Sequence, residues 1–274
     1  MEFFGVFSQI LKSFPEAVCS GLLIGSVCSF LGVFVVLKRM VFIGITLLQA
    51  AACGIAAAFF FHLNPFFGAV FGSLMTVTIL ALPSDERRIP RDALMALIFI
   101  LTSSLSILFV SRSAVGFEEV KELLYGDLIL CSPLDFKVLF LTLLPPAFAI
   151  LILLRPITYT FLDREEALVL GVRVRFWELL FFYASALVIS SASKLGGMVL
   201  VFCYLVIPSM AGLVLCTRLK HVFLIAQITA LISTLAGFYI SYAYDLPVNP
   251  CIAAAGTVTL LIIYILNYFI NRVK

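Results

Sequence analysis

The chain has 274 residues, 63% of them hydrophobic and 12% charged, with a formal net charge of +3 and a mean hydropathy of +1.19. A soluble domain carries roughly 25% charged residues, and no soluble core of this length would hide so much apolar surface, so lipid must be the solvent. The small net charge gives no argument for nucleic acid.

A helix crosses a bilayer in roughly 20 apolar residues. The opening MEFFGVFSQILKSF lacks a basic n-region and a small-residue cleavage site, so the first span, Phe14–Leu37, is expected to be retained. Val41–Phe61, Pro65–Leu82 and Ala93–Val110 follow as spans. The loop from Ser111 to Pro133 carries Glu118, Glu119, Lys121 and Glu122, which suit a short interfacial helix. After a span at Leu134–Leu154 comes a second long loop, RPITYTFLDREEALVLGVRVRFWE, from Arg155 to Glu178. Asp163, Glu165 and Glu166 open a short helix there, where acidic groups complement the helix dipole. Gly171 is placed to close it. Both loops could be plain solvated connections, but the second is ordered enough to suggest a docking role. Trp177–Ser193 and Leu195–Cys216 meet at Lys194, and one of them reads equally as a short or re-entrant helix. Pro208, inside the latter, lacks a backbone donor and is expected to kink or break it. Val222–Tyr244 and Pro250–Ile270 complete an all-α, polytopic transmembrane bundle of eight to nine spans. Residues 1–274 read as one transmembrane domain, with residues 155–178 as a segment within it.

Basic residues set the orientation. Lys38, Arg39, Arg87, Arg88, Arg91, Arg155, Arg164, Arg173, Arg175, Arg218, Lys220, Arg272 and Lys274 fall on one side, 13 in all, against 5 on the other (Lys12, Arg112, Lys121, Lys137 and Lys194). The first side is expected to be cytoplasmic, with the C-terminus inside and the loop at Asp245 outside.

Several chemistries are excluded. The sequence contains no GxxxxGK[ST], HExxH, GxSxG or Cys/His zinc signature, so neither an enzyme activity nor a cofactor is expected. The spans hold almost no ionisable group of the kind that proton- or sodium-coupled carriers place near the midplane. Their polar inventory is chiefly Gln49, Gln227 and hydroxyls, so the energy is expected from a partner. The seven cysteines form no CxxC pair and read as small packing residues rather than ligands. Gly21 and Gly25 form a GxxxG, and Gly68 and Gly72 lie one turn apart, a pattern that ordinarily serves close helix packing.

Five segments together resemble one family. VLKRMVFIG at 36–44 is similar to the "VLRRMSLIG" entry to the second span of the manganese/zinc/iron permeases of bacterial ABC importers. LYGDLILCSPLD at 124–135 resembles their "LFGNIL…S..DL", and LDREEALVLGV at 162–172 their "FDPE.A..LGV". KLGGMVLVFCYLVIPSMAGLVL at 194–215 resembles "VGVLLVFALLIIPAATARLL", and SYAYDLPVNPCI at 241–252 resembles "SYYLDLPTGPAIV". The matches run in the same order over nearly the whole chain.

The resemblance implies a type II importer fold, like that of the cobalamin permeases, in a bacterial inner membrane. It implies a dimer with a second copy or a paralogue, a separate cytoplasmic ATPase, and an extracytoplasmic binding protein that delivers the substrate. The ATPase contact would fall on Asp163, Glu165, Glu166, Ala167 and Gly171. The family's second span typically reads "GDALSHA", whose Asp and His share a helix face and suit a divalent cation. This chain has GITLLQA at 44–50, with Ile45 for the Asp and Gln49 for the His. The Gln49 carbonyl and the Cys53 thiol, one turn on, are the remaining candidate metal ligands, with Ile45 and Pro208 as pathway positions. Three readings follow: a transition-metal permease, an ABC permease for a non-metal substrate, and an unrelated secondary carrier or membrane scaffold.

Overall fold

In lipid every backbone polar group must be satisfied within the chain, which leaves apolar segments of this length the choice of helix or closed barrel. The computed structural model describes residues 12–81, 90–112, 126, 128–162, 164–169 and 171–273, and among them it contains helices and no strand. They are α1 (Pro15–Leu37), α2 (Val41–Phe60), α3 (Pro65–Ala81), α4 (Arg91–Arg112), α5 (Pro133–Ile152), α6 (Leu154–Leu162), α7 (Arg164–Val169), α8 (Val174–Leu215), α9 (Leu219–Tyr244) and α10 (Val248–Val273). Seven of these are long and apolar enough to cross a membrane, and α3 is a shorter apolar helix. The acidic outer-loop helix expected at Glu118–Glu122 lies outside the described residues.

The 42 residues of α8 cover both spans expected on either side of Lys194. At 1.5 Å per residue they amount to about 63 Å of helix counted along the chain, enough for two crossings of a bilayer core of roughly 30 Å. The break falls at Gly197, whose φ of 67° and ψ of 169° are non-helical. That region of backbone space is essentially reserved for glycine. The break expected at Pro208 is therefore corrected: Pro208 sits buried inside α8, which stays helical around it. A proline removes one donor and frees one carbonyl, which a membrane helix can re-satisfy through its neighbours. The positive φ at Gly197 takes the backbone itself out of the helical region.

The chain divides into two compact units. One gathers α1 as far as Val36, the start of α5 up to Phe140, α8 from Leu195, α9 and α10. In it α1 lies so close to α8 that a side chain on Gly32 would meet the Leu205 carbonyl, and the Ser209 hydroxyl donates to Ser29 O at 3.3 Å. Tyr204 is fully buried beside Gly25, its hydroxyl 2.5 Å from that of Thr234. Gly237 of α9 faces the backbone of Ile252 in α10.

The other unit gathers α2, α3, α4, the remainder of α5, α6, α7 and α8 up to Lys194. Here α2 packs on α3 and α4. A side chain on Gly54 would strike the Gly68 carbonyl, and one on Gly72 the Ala50 carbonyl, so the two backbones touch. This is how small residues join helices where lipid offers no hydrophobic drive. Ala51, Ile55 and Ala69 form the core of that crossing, with Phe59 against it. Hydroxyls add bonds to backbone: Ser73 donates to Leu47 O and Thr46 to Met95 O, each at 3.4 Å.

Candidate pathway helix and coupling segment

Residues four apart on α2 share a face. Leu47, Ala50 and Gly54 meet α3, which leaves Ile45 and Gln49 on the opposite side of the helix, with Cys53 one turn beyond. Gln49 retains only 7% exposure, while Ile45 and Cys53 are half-buried. Among the described residues no hydrogen bond reaches the Gln49 amide, and no group of three or more His, Cys, Asp or Glu could hold a metal ion. A single amide and a single thiol supply two ligands at most, fewer than the four or more that first-row metals take. Pro208 belongs to the other unit. All seven cysteines are free, four of them buried.

The second long loop folds as α6, α7 and the entry to α8. Ile157, Thr160 and Phe161 bury one face of α6, and Phe161 meets Phe181 of α8 edge-on at 4.8 Å. The Lys38 ammonium lies 2.5 Å from Glu178 of α8 and 5.0 Å above the Phe161 ring. Arg175 donates to the Ala81 carbonyl at the end of α3, at 2.7 Å.

On α7, Ala167 is buried at 1% exposure, while Val169 stands 87% exposed and Leu168 and Glu166 face outward. Gly171 closes the helix in a Schellman arrangement. Its N–H donates to Leu168 O at 3.1 Å, and that of Val172 donates to Ala167 O at 3.0 Å. The φ of 74° at Gly171 is what this cap requires. Asp163 and the side chain of Glu165 lie outside the described residues.

Two features escape a reading of the sequence. The Lys38–Glu178 pair joins residues 140 apart, each of which reads locally as an ordinary charge at a span end. At the α8 break, the Asn249 amide donates to the carbonyls of Gly196 and Leu195, and Gly126 packs its backbone on Gly197. The paired glycines of KLGGM and an asparagine at a span entry are the available signals.

Seven helices long and apolar enough to cross a membrane, among the described residues, define a multi-pass membrane protein. The chain belongs to the ABC 3 transport family, whose model matches residues 11–267. It is 26% identical over 244 residues to the manganese transport system membrane protein MntC of Halalkalibacterium halodurans, covering 87% of this chain and 82% of that protein. It is 23% identical to the chelated iron transport system membrane protein YfeD of Yersinia pestis, over 96% of this chain and 90% of that one. Its fold is similar to that of a chain in the structure of PsaBC from Streptococcus pneumoniae in complex with Fab. That match has a TM-score of 0.81 at 20% identity and covers 95% of each chain.

Proposed function

We propose that this chain is the membrane permease of an ATP-driven importer that carries a divalent transition metal (manganese, iron or zinc) into the cytoplasm. The observation that carries this reading is the family match over residues 11–267, with relatives named for manganese and iron transport. The energy comes from a separate cytoplasmic ATPase, and an extracytoplasmic binding protein delivers the metal. The chain sits in the inner membrane with its C-terminus cytoplasmic, as the excess of Lys and Arg on that side favours.

In this reading α6 and α7 form the surface that the ATPase engages. The buried faces of Ile157, Phe161 and Ala167 hold the segment to the permease, and the outward Glu166, Leu168 and Val169 present its other face to a partner. Asp163, Glu165 and Gly171 complete the same segment. The face of α2 bearing Ile45, Gln49 and Cys53 lines the path. Because Ile45 offers no ligand, the path uses other ligands or takes an Asp/His pair from a paralogous second permease, since a second copy of this chain would bring the same Ile45.

The test is reconstitution in liposomes of the complete complex, with any paralogous second permease, its ATPase and its binding protein. Uptake of radioactive manganese that requires both ATP and the binding protein is the expected result. ATP hydrolysis stimulated by the binding protein, with no metal uptake, would favour the second reading, a permease of the same fold for a non-metal substrate. The loss of a carboxylate at Ile45 is the observation on that side.

A further inference from the structure

Lys38 is the first residue beyond α1, and the three-residue turn it opens, with Arg39 at a φ of 57°, leads directly into α2. Its ammonium therefore belongs to the root of the helix that carries Ile45, Gln49 and Cys53. The groups it touches belong to other elements: Glu178 Oε1 of α8 at 2.5 Å, and the ring of Phe161 in α6 at 5.0 Å. The lysine side chain retains 16% exposure and the glutamate 6%.

Adhesion alone does not account for this pair. Removing two charges from water costs hydration that their attraction only partly returns, and an apolar pair of similar size commonly holds helices at least as well. The best-attested use of a buried charge pair is to select one arrangement among several. The arrangement selected here joins the root of α2 to the segment formed by α6, α7 and the start of α8. Beyond its root, α2 is fastened to α3 through the Gly54–Gly68 contact and to α4 through Thr46 and the Met95 carbonyl. A displacement delivered at Lys38 thus reaches a packed body of three helices.

We propose that Lys38 and Glu178 are positioning residues for energy coupling, through which movement of the α6–α7 segment is passed to α2. This rests on the reading of the chain as an ATP-driven importer. In it, the ATPase acts at α6 and α7 and the path runs along α2, and the ion pair is the mechanical link between them. The pair touches neither nucleotide nor metal.

The experiment measures manganese imported per ATP hydrolysed by the complete complex in liposomes. It compares the parent with Lys38→Met/Glu178→Met, which keeps the packing and removes both charges, and with the charge swap Lys38→Glu/Glu178→Lys. The methionine pair is expected to lower the ratio by about fivefold or more, the scale of a typical coupling between sites, and the swap to recover most of it. A methionine pair that couples like the parent would overturn the proposal, as would a swap no better than the methionine pair. Should the methionine pair fail to assemble, Glu178→Gln takes its place, keeping the shape and one hydrogen bond. The proposal then stands if that variant lowers the ratio and the swap recovers it, and falls otherwise. A parent complex that hydrolyses ATP and moves no manganese overturns the metal-import reading in favour of a non-metal substrate, and this inference, which is read out as metal import, falls with it.

Discussion

The Asn249 amide of α10 donates to Gly196 O at 3.0 Å and Leu195 O at 3.4 Å, the carbonyls that precede the break in α8. A helix break inside apolar surroundings leaves polar backbone without its usual partners, and here a side chain from another helix supplies donors. Replacing Asn249 by Ala should cost about 1–3 kcal/mol through the unsatisfied carbonyls. Gly197→Ala should cost about as much by a different route, since an L side chain resists that backbone conformation. Thermal unfolding of the two variants in detergent checks both, with the melting temperature falling in each.

The α2–α3 crossing makes a sharper demand on side-chain size. A methyl group on Gly54 would land on the Gly68 carbonyl, and backbone cannot rotate aside as a side chain can. Gly54→Ala should therefore destabilise by about 1–3 kcal/mol, the usual cost of overpacking. Gly256→Ala is the control, because its nearest neighbour would be the movable Ser233 hydroxyl at 3.3 Å. Equal melting temperatures for the two variants would mean that α2 and α3 can separate at no cost.

The orientation of the chain is open to labelling. On a cysteine-free background, a single cysteine at Lys274 should be shielded from an impermeant thiol reagent in intact cells. One at Asp245, in the exposed turn between α9 and α10, should react. The reverse pattern would place α6 and α7 outside and remove them from reach of a cytoplasmic ATPase.

Charge reversal at Glu165 and Glu166 tests the coupling surface. Both residues lie in the first turn of α7, and the variant should insert normally while losing ATPase association or metal uptake. Parental uptake by a correctly inserted variant would put the docking surface elsewhere. Arg87, Arg88 and Arg91, the last at the start of α4, would then be tested next.

The α2 face calls for a gain-of-ligand test. Ile45→Asp with Gln49→His introduces a carboxylate and an imidazole four residues apart, a pair suited to first-row divalent metals. The double variant should change the metal dependence of transport more than either single change. Ile45→Asp alone should be the least stable of the three, since an uncompensated carboxylate within a span costs about 2.5–3.5 kcal/mol. Identical metal dependence in all three would reduce this face to packing.

The spans are legible because lipid enforces length and apolarity together. Spans are expected at Phe14–Leu37 and Val41–Phe61, and helices form at Pro15–Leu37 and Val41–Phe60. The border at Lys194 is also visible, three residues before the true break, because a charge in an apolar run marks a span end. Which residue breaks α8 is not visible. Proline carries the stronger local signal, whereas the break at Gly197 depends on partners brought by Gly126 and Asn249, far away in sequence. The shared face of Ile45 and Gln49 follows from helical period alone. The pairing of Lys38 with Glu178 does not, because nothing in either segment specifies a partner 140 residues distant.

Gly171 carries one more consequence, concerning handedness. An L β-carbon built there meets nothing within 4 Å among the described residues, and what restricts it is the positive φ of 74°. That restriction is chiral, since positive φ disfavours L residues and is the natural basin of their mirror images. D-alanine introduced by semisynthesis would match the backbone and narrow the unfolded ensemble relative to glycine. The cap of α7 would then be firmer with the unnatural enantiomer than with glycine, and L-alanine at the same atom count would loosen it.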